Sequence, residues 1–188
     1  MNTPNGIALG VLGSMAVLIV GACSPRVQAV VPLELTRQDT CAADGMILLD
    51  HAGPHAQIVW KDGQRTFYCE AREAYSIWTD PIERNRIAGF FVQDMGGLAW
   101  ASHADHWIDA ASALVVVDSA KFGSMGLSYV PFGRREDAEA FTVENGGELL
   151  TFGQISPEVV LHSEERRREA PGGPGLHAHA MKGMRAGE

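Results

Sequence analysis

Three donor side chains fall within six residues in the stretch "DTCAADGMILLD" (residues 39–50): the Cys41 thiol, the Asp44 carboxylate and the Met46 thioether. A thiolate and a thioether are soft donors and select Cu(I) over hard cations. A carboxylate oxygen suits that ion less well and fits an orienting or releasing role. The spacing suits a loop, which can turn all three towards one point, whereas an extended strand would alternate them between its faces. Met is more often core filler than ligand, and spacing alone leaves two readings open. The stretch is one side of a soft-metal site, or it is half of a Cys41–Cys69 disulfide followed by ordinary core.

A second soft donor, Met125, sits in "FGSMGLSYVPFG" between a serine and a glycine, where no helical periodicity demands a hydrophobe. The bland alternative is a Met plugging a gap beneath the loop. Of the seven histidines, His103 and His106 in "SHADHW" lie between the two halves of the chain, where a junction site could use them. His51 and His55 flank a Gly-Pro turn and are expected at the surface. A lone histidine is usually a surface residue or a satisfied core residue. "HAHAM" near the C-terminus (His177, His179, Met181) reads as filler able to scavenge a metal only loosely. No phosphate-binding glycine loop, HExxH or nucleophile elbow is present, so no catalytic residues are assigned and the chain is read as a non-enzyme.

The elements that must position these donors follow from pattern. "GMILLD" and "AQIVW" read as strands, and "KDG" is a turn before a further strand, "QRTFYC". "EAREAYSIWTD" carries apolar residues at helical spacing with acids at its front, and Pro81 closes it. "IAGFFVQDM" is the next strand. The second half repeats the order, with strands "ASALVVVD" and "LSYVPF", a helix in "RREDAEAFTVENGG" and a closing strand "ELLTFGQI". The rhythm predicts an α+β fold of two ββαβ units, an internal duplication. If the units pack face to face, Met46 and Met125 lie at equivalent strand entrances and meet in a shared site.

Composition sets the bounds. The chain has 188 residues, 46% hydrophobic and 20% charged, with a formal net charge of −8. It is long enough for one cored domain or two small fused ones. The acidic balance argues against nucleic acid, which is bound through Lys and Arg. From Met1 to Pro25 no side chain is charged, and the apolar run ends in "VGAC". That end resembles the lipobox of bacterial lipoproteins, in which the signal peptide is cut before the cysteine, here Cys23, and the thiol is acylated. The usual basic residue before the apolar run is missing, which keeps a plain membrane anchor as the second reading. Either reading exports the domain to an oxidising compartment, and with Cys23 acylated an even pair of thiols remains. The expected organisation is a signal peptide over residues 1–22, a tether over 23–39, a folded domain over 40–156 and a disordered tail over 157–188.

Taken together, the lipobox, "CAADGM", "AQI", the "FYC" strand, "HWIDAASA", "SMG", "PFGRREDAEAF" and "GGELLTF", in this order, resemble the NosL family, accessory lipoproteins of nitrous oxide reductase in denitrifying bacteria. The resemblance covers residues 41–155. It implies a periplasmic copper chaperone, a monomer anchored by lipid to the outer membrane. Such a chaperone binds Cu(I) and delivers it for the copper centres of nitrous oxide reductase, with a dedicated ABC-type membrane complex. It implies a pair of ββαβ units like part of organomercurial lyase. The family's CxxDGM motif falls on Cys41, Asp44 and Met46, and the Met of its PMG-like loop falls on Met125, with Ser124 in place of the usual proline. A histidine ligand would be His103 or His106. An organomercurial-lyase-like activity is disfavoured, since it wants a cluster of reactive cysteines.

Overall fold

The alternation in "AQIVW" becomes the central strand of a sheet in the computed structural model, which describes residues 30–102 and 106–169. Cys23 with the apolar run before it, His103, and the His177–His179–Met181 group lie outside these residues. Strands β1 (Ala56–Trp60) and β2 (Arg65–Tyr68) form a hairpin. Helices α1 (Ala71–Thr79) and α2 (Pro81–Arg84) then lead to β3 (Ile87–Gln93) and, across the junction, β4 (Trp107–Asp109). The sheet is antiparallel, in the order β2-β1-β3-β4, with Ile58 opposite both Thr66 and Phe90. The period-two pattern turns Ala56 and Ile58 towards α1, where they are buried with Ala71, Ala74 and Tyr75. The Tyr75 and Phe90 rings meet edge to face at 5.0 Å between centroids. Pro81 both stops α1 and starts α2: Asp80 caps the new helix by accepting from the Ile82 and Glu83 N–H groups, with proline at its first position.

The second unit repeats this order. Strand β5 (Leu114–Val117) lies between β8 (Val130–Phe132) and β9 (Glu148–Thr151), with α3 (Arg135–Asn145) joining those two, and a small hairpin, β6 (Phe122–Gly123) and β7 (Gly126–Leu127), inserted after β5. Both units place their first strand at an interior position of its sheet. The unbroken apolar run of β5 is buried on both faces: Val115 and Val117 join the core shared with α1, and Val116 packs with Val130, Phe132 and Ala138 under α3.

One expectation is corrected, and the bounds of two others are narrowed. "GMILLD" is not a strand: Ile47 makes a single bridge to Thr40, and Leu48–Asp50 turns into a short 3-10 helix. The tether expected over residues 23–39 is docked from residue 30 onward. The N–H and C=O of Leu33 bond the side chain of Gln57 at 2.9 and 3.0 Å, and Leu35 is buried. The expected disordered tail begins with a helix, α4 (Pro157–Glu169). Val160 of α4 is buried, and Ser163 links the Tyr129 hydroxyl (3.1 Å) to the Asp118 carboxylate (3.0 Å). A charge run masks this helix in the sequence, because Val159, Val160 and Ser163, which face the core, are followed by charged residues.

Candidate metal centre

The loop bearing Cys41 is built by its own backbone. Cys41 N–H donates to the Met46 carbonyl (2.8 Å), and Gly45 N–H donates back to the Cys41 carbonyl (2.8 Å). Gly45 has φ +78°, a conformation that glycine adopts without strain. Asp44 is held by accepting from the Met46 N–H through Oδ1 at 2.9 Å. Ala42 N–H then donates to the Phe67 carbonyl (2.8 Å), which ties the loop to β2 and delivers Cys41 beside Cys69, the residue that follows that strand. Glu73, in the first turn of α1, completes the group.

The resulting geometry is close. The Cys41 and Cys69 sulfurs are 3.0 Å apart, and both thiols are free and buried. Glu73 Oε2 lies 3.7 Å from the Cys41 sulfur and 3.9 Å from that of Cys69. Asp44 Oδ2 lies 3.8 Å from the Cys69 sulfur at the exposed rim. Met46, Met125 and Trp107, all partly exposed, pack against the cluster made by Leu35, Cys41, Leu48 and Cys69. The two thioethers expected to meet thus border one thiol pair, Met46 from the first unit and Met125 from the hairpin turn of the second.

Electrostatics divide the pair. Hydrogen bonds from the Cys69 thiol and from its backbone N–H (3.2 Å) stabilise a Cys41 thiolate and hold that thiol below its ordinary range. The same sulfur contact, with burial, pushes the Cys69 thiol up. Burial also raises the Glu73 carboxyl. The contact therefore favours loss of the first proton from Cys41 rather than from Cys69.

Glu70 holds the second lip of the site. It is fully buried, and its carboxylate accepts from the Ser128 hydroxyl at 2.7 Å, from the Ser124 hydroxyl at 3.4 Å and from the Met125 backbone N–H. Gly123 packs so closely on this carboxylate that a Cβ there would overlap it. Burial, partly offset by those donors, pushes the Glu70 carboxyl up to about 7. Beneath the site, His55 is buried, with Nδ1 3.2 Å from the Cys69 carbonyl, so its expected surface position is corrected.

Of the residues singled out from the sequence, Cys41, Asp44, Met46 and Met125 are brought together. His106 is exposed; among the described residues, the His, Cys, Asp and Glu side chains close enough to share an ion are Cys41, Cys69 and Glu73. Sequence reasoning placed Cys69 only as a disulfide partner and missed Glu73 and Glu70. The four-residue step from Cys69 to Glu73, across the start of the α1 pattern, was the signal available for the first of these. Two buried thiols, with thioethers packed against the same cluster and carboxylates nearby, are a donor set that fits a soft metal ion.

Comparison with known proteins agrees with this chemistry. The NosL family model matches residues 32–160. The chain belongs to the NosL family. The copper-binding lipoprotein NosL of Stutzerimonas stutzeri is 32% identical to it over 179 residues, covering 95% of this chain and 91% of that one. The copper-binding lipoprotein NosL of Achromobacter cycloclastes is 34% identical over 165 residues, covering 85% and 86%. The crystal structure of the copper chaperone NosL from Shewanella denitrificans matches with a TM-score of 0.62 and 30% identity, over 70% of this chain and 98% of that one. These NosL relatives are named for copper binding and chaperoning, not for catalysis.

Proposed function

We propose that this NosL-family chain is a Cu(I) chaperone of the periplasm, anchored by acylated Cys23 to the outer membrane. In this reading it supplies copper for the maturation of nitrous oxide reductase through that enzyme's ABC-type membrane complex. The observation that carries the reading is the buried Cys41–Cys69 thiol pair with Glu73 beside it, in a cluster against which Met46 and Met125 pack. The copper-binding lipoprotein relatives support the anchor and the cargo, and the family resemblance supports the client.

The donor set suits a carrier. Copper binding displaces thiol protons, and the Glu73 carboxylate within 3.9 Å of both sulfurs is placed to receive one. Thioethers bind more weakly than thiolates, so Met46 and Met125 are the donors a partner displaces first. Because both are partly exposed, an incoming ligand reaches the ion without opening the core. Anaerobic titration against a chromogenic Cu(I) chelator tests the site. Met46→Ala and Met125→Ala should each weaken binding, and unchanged affinity in both removes the proposed ligand set.

A second reading draws on the same sulfur contact: a non-metallated module with a Cys41–Cys69 disulfide. At 3.0 Å the sulfurs are beyond the ~2.05 Å of a bond, yet adjacent enough for oxidation to join them. Thiol counting separates the two. Two free thiols that copper protects favour the chaperone, and none before reduction favours the module.

A further inference from the structure

The docked N-terminal segment has a direction. Val30 lies over Gly89 near the start of β3, leaving no room there for a Cβ. The Val31 carbonyl accepts from Arg65 at the start of β2 (2.8 Å). Leu33 pairs with Gln57 in mid-sheet, and Leu35 is buried beside Cys41. The strap therefore runs along β1 from the β1–β2 turn to the thiol pair, and the chain that leads back to Cys23 leaves from the turn end. From Cys23 to Val30 the chain can reach at most ~25 Å.

That turn end has a distinctive surface. Arg86 stacks over the Trp60 ring at 5.3 Å and Arg84 over the Trp78 ring at 5.8 Å, with Lys61 exposed between the hairpin and α2. Ile82 projects from α2 with 72% of its surface exposed. Three carboxylates share the region and balance the charges of Lys61, Arg84 and Arg86, which leaves a neutral patch in an acidic chain. Asp62 takes the Gln64 N–H, Asp80 caps α2, and Glu83 pairs with Arg86 at 2.8 Å. Lys61 and Arg84 have no carboxylate partner among the described residues. Amphipathic tryptophans beside exposed cations and a bare aliphatic side chain suit the headgroup layer of a bilayer, where a neutral face is repelled less by anionic lipid than the rest of the chain. They stand out in a chain of net charge −8.

We infer that the β1–β2 turn end, through Trp60, Lys61, Trp78, Ile82 and Arg84, is the surface on which the domain rests against anionic phospholipid headgroups. The inference rests on the lipid anchor of the proposed function. Its consequence is orientation: the thiol pair, at the far end of a sheet whose central strand is ~17 Å long, faces away from the bilayer and towards whatever removes the copper.

The test uses the full acylated chain, reconstituted into vesicles of phosphatidylethanolamine and phosphatidylglycerol brominated near the headgroup. Bromine should quench the tryptophan fluorescence. Most of that quenching should vanish in the W60F/W78F double variant and persist in W100F, whose indole lies near the Met125 hairpin. Exchanging phosphatidylglycerol for phosphatidylcholine, or introducing Lys61→Glu with Arg84→Glu, should reduce it. Quenching that survives W60F/W78F, or its absence in vesicles with which the chain co-floats, overturns the orientation and leaves the turn end free for a protein partner. A chain that does not co-float, with no acyl mass on its Cys23 peptide, overturns the anchor reading and this inference with it.

Discussion

Replacing Glu70 by Gln should remove a pH dependence from the stability of the fold. Glu70 is fully buried, and its carboxyl is moved from an ordinary 4.5 to about 7 chiefly by that burial, with the Ser128 hydroxyl and the Met125 N–H pulling the other way. Since the folded value is the higher one, the folded chain keeps a proton that the unfolded chain has already lost anywhere between the two. Stability is then greatest below about 4.5, falls as pH rises through the window, and stays low once Glu70 is ionised in both states. A shift of this size corresponds to about 3 kcal/mol between the two ends. Glu73, also raised by burial, contributes in the same direction, so the informative quantity is the difference between wild type and Glu70→Gln. Urea unfolding of reduced, metal-free protein at about pH 5 and about pH 8 measures it, with midpoints converted by linear extrapolation. Wild type should lose about 2–3 kcal/mol more than Glu70→Gln over that range. Parallel profiles for the two proteins, or a wild type that gains stability with pH relative to the variant, would refute the assignment of the buried carboxyl.

Further outcomes follow from neighbouring contacts. Gly123→Ala drives a methyl into the Glu70 carboxylate and should cost about 1–3 kcal/mol in urea melts; much of the loss should be recovered when Glu70→Ala is added, and purely additive losses would count against the contact. Ser163→Ala leaves the Tyr129 hydroxyl without the acceptor that α4 supplies and should cost about 1–2 kcal/mol by the same measurement; a neutral result would mean that α4 docks without the hydroxyl relay. Cu(I) affinity should rise with pH, because the Cys69 thiol keeps its proton until the ion displaces it: one proton released gives about tenfold tighter binding per pH unit, and competition titrations that show no pH dependence would rule out a ligating Cys69.

The fold could be read from the sequence wherever pattern and burial coincide. "AQIVW", "LVVV" and the helix of α1 each show the period that their environment imposes, and the order of strands and helices in both units follows. The failures share a different cause. Leu48–Asp50 turns because the loop must bridge back to Thr40, a tertiary demand that overrides a strand-like apolar run. α4 was hidden because a helix held by two inward residues and a hydroxyl relay has almost no apolar signature. At the site, Cys41, Asp44 and Met46 were found because they are close along the chain, and Met125 because its loop gave it no packing duty. Cys69 and Glu73 join them only through the pairing of β2 with the Cys41 loop, and Glu70 acts through a hairpin more than fifty residues away, which no local pattern encodes.

The two lips of the metal centre belong to different ββαβ units: the thiols and Met46 to the first, Met125 to the hairpin of the second. In the proposed function, an ion gripped by both is a removable crosslink. Because it binds only where the units are correctly mated, its occupancy adds to the stability of the whole chain in proportion to the logarithm of its excess. By the same linkage, anything that levers the hairpin off Glu70 discharges the ion. A partner therefore need not outbid four donors at once. It can pull on one loop, and the cargo loses its second hinge plate.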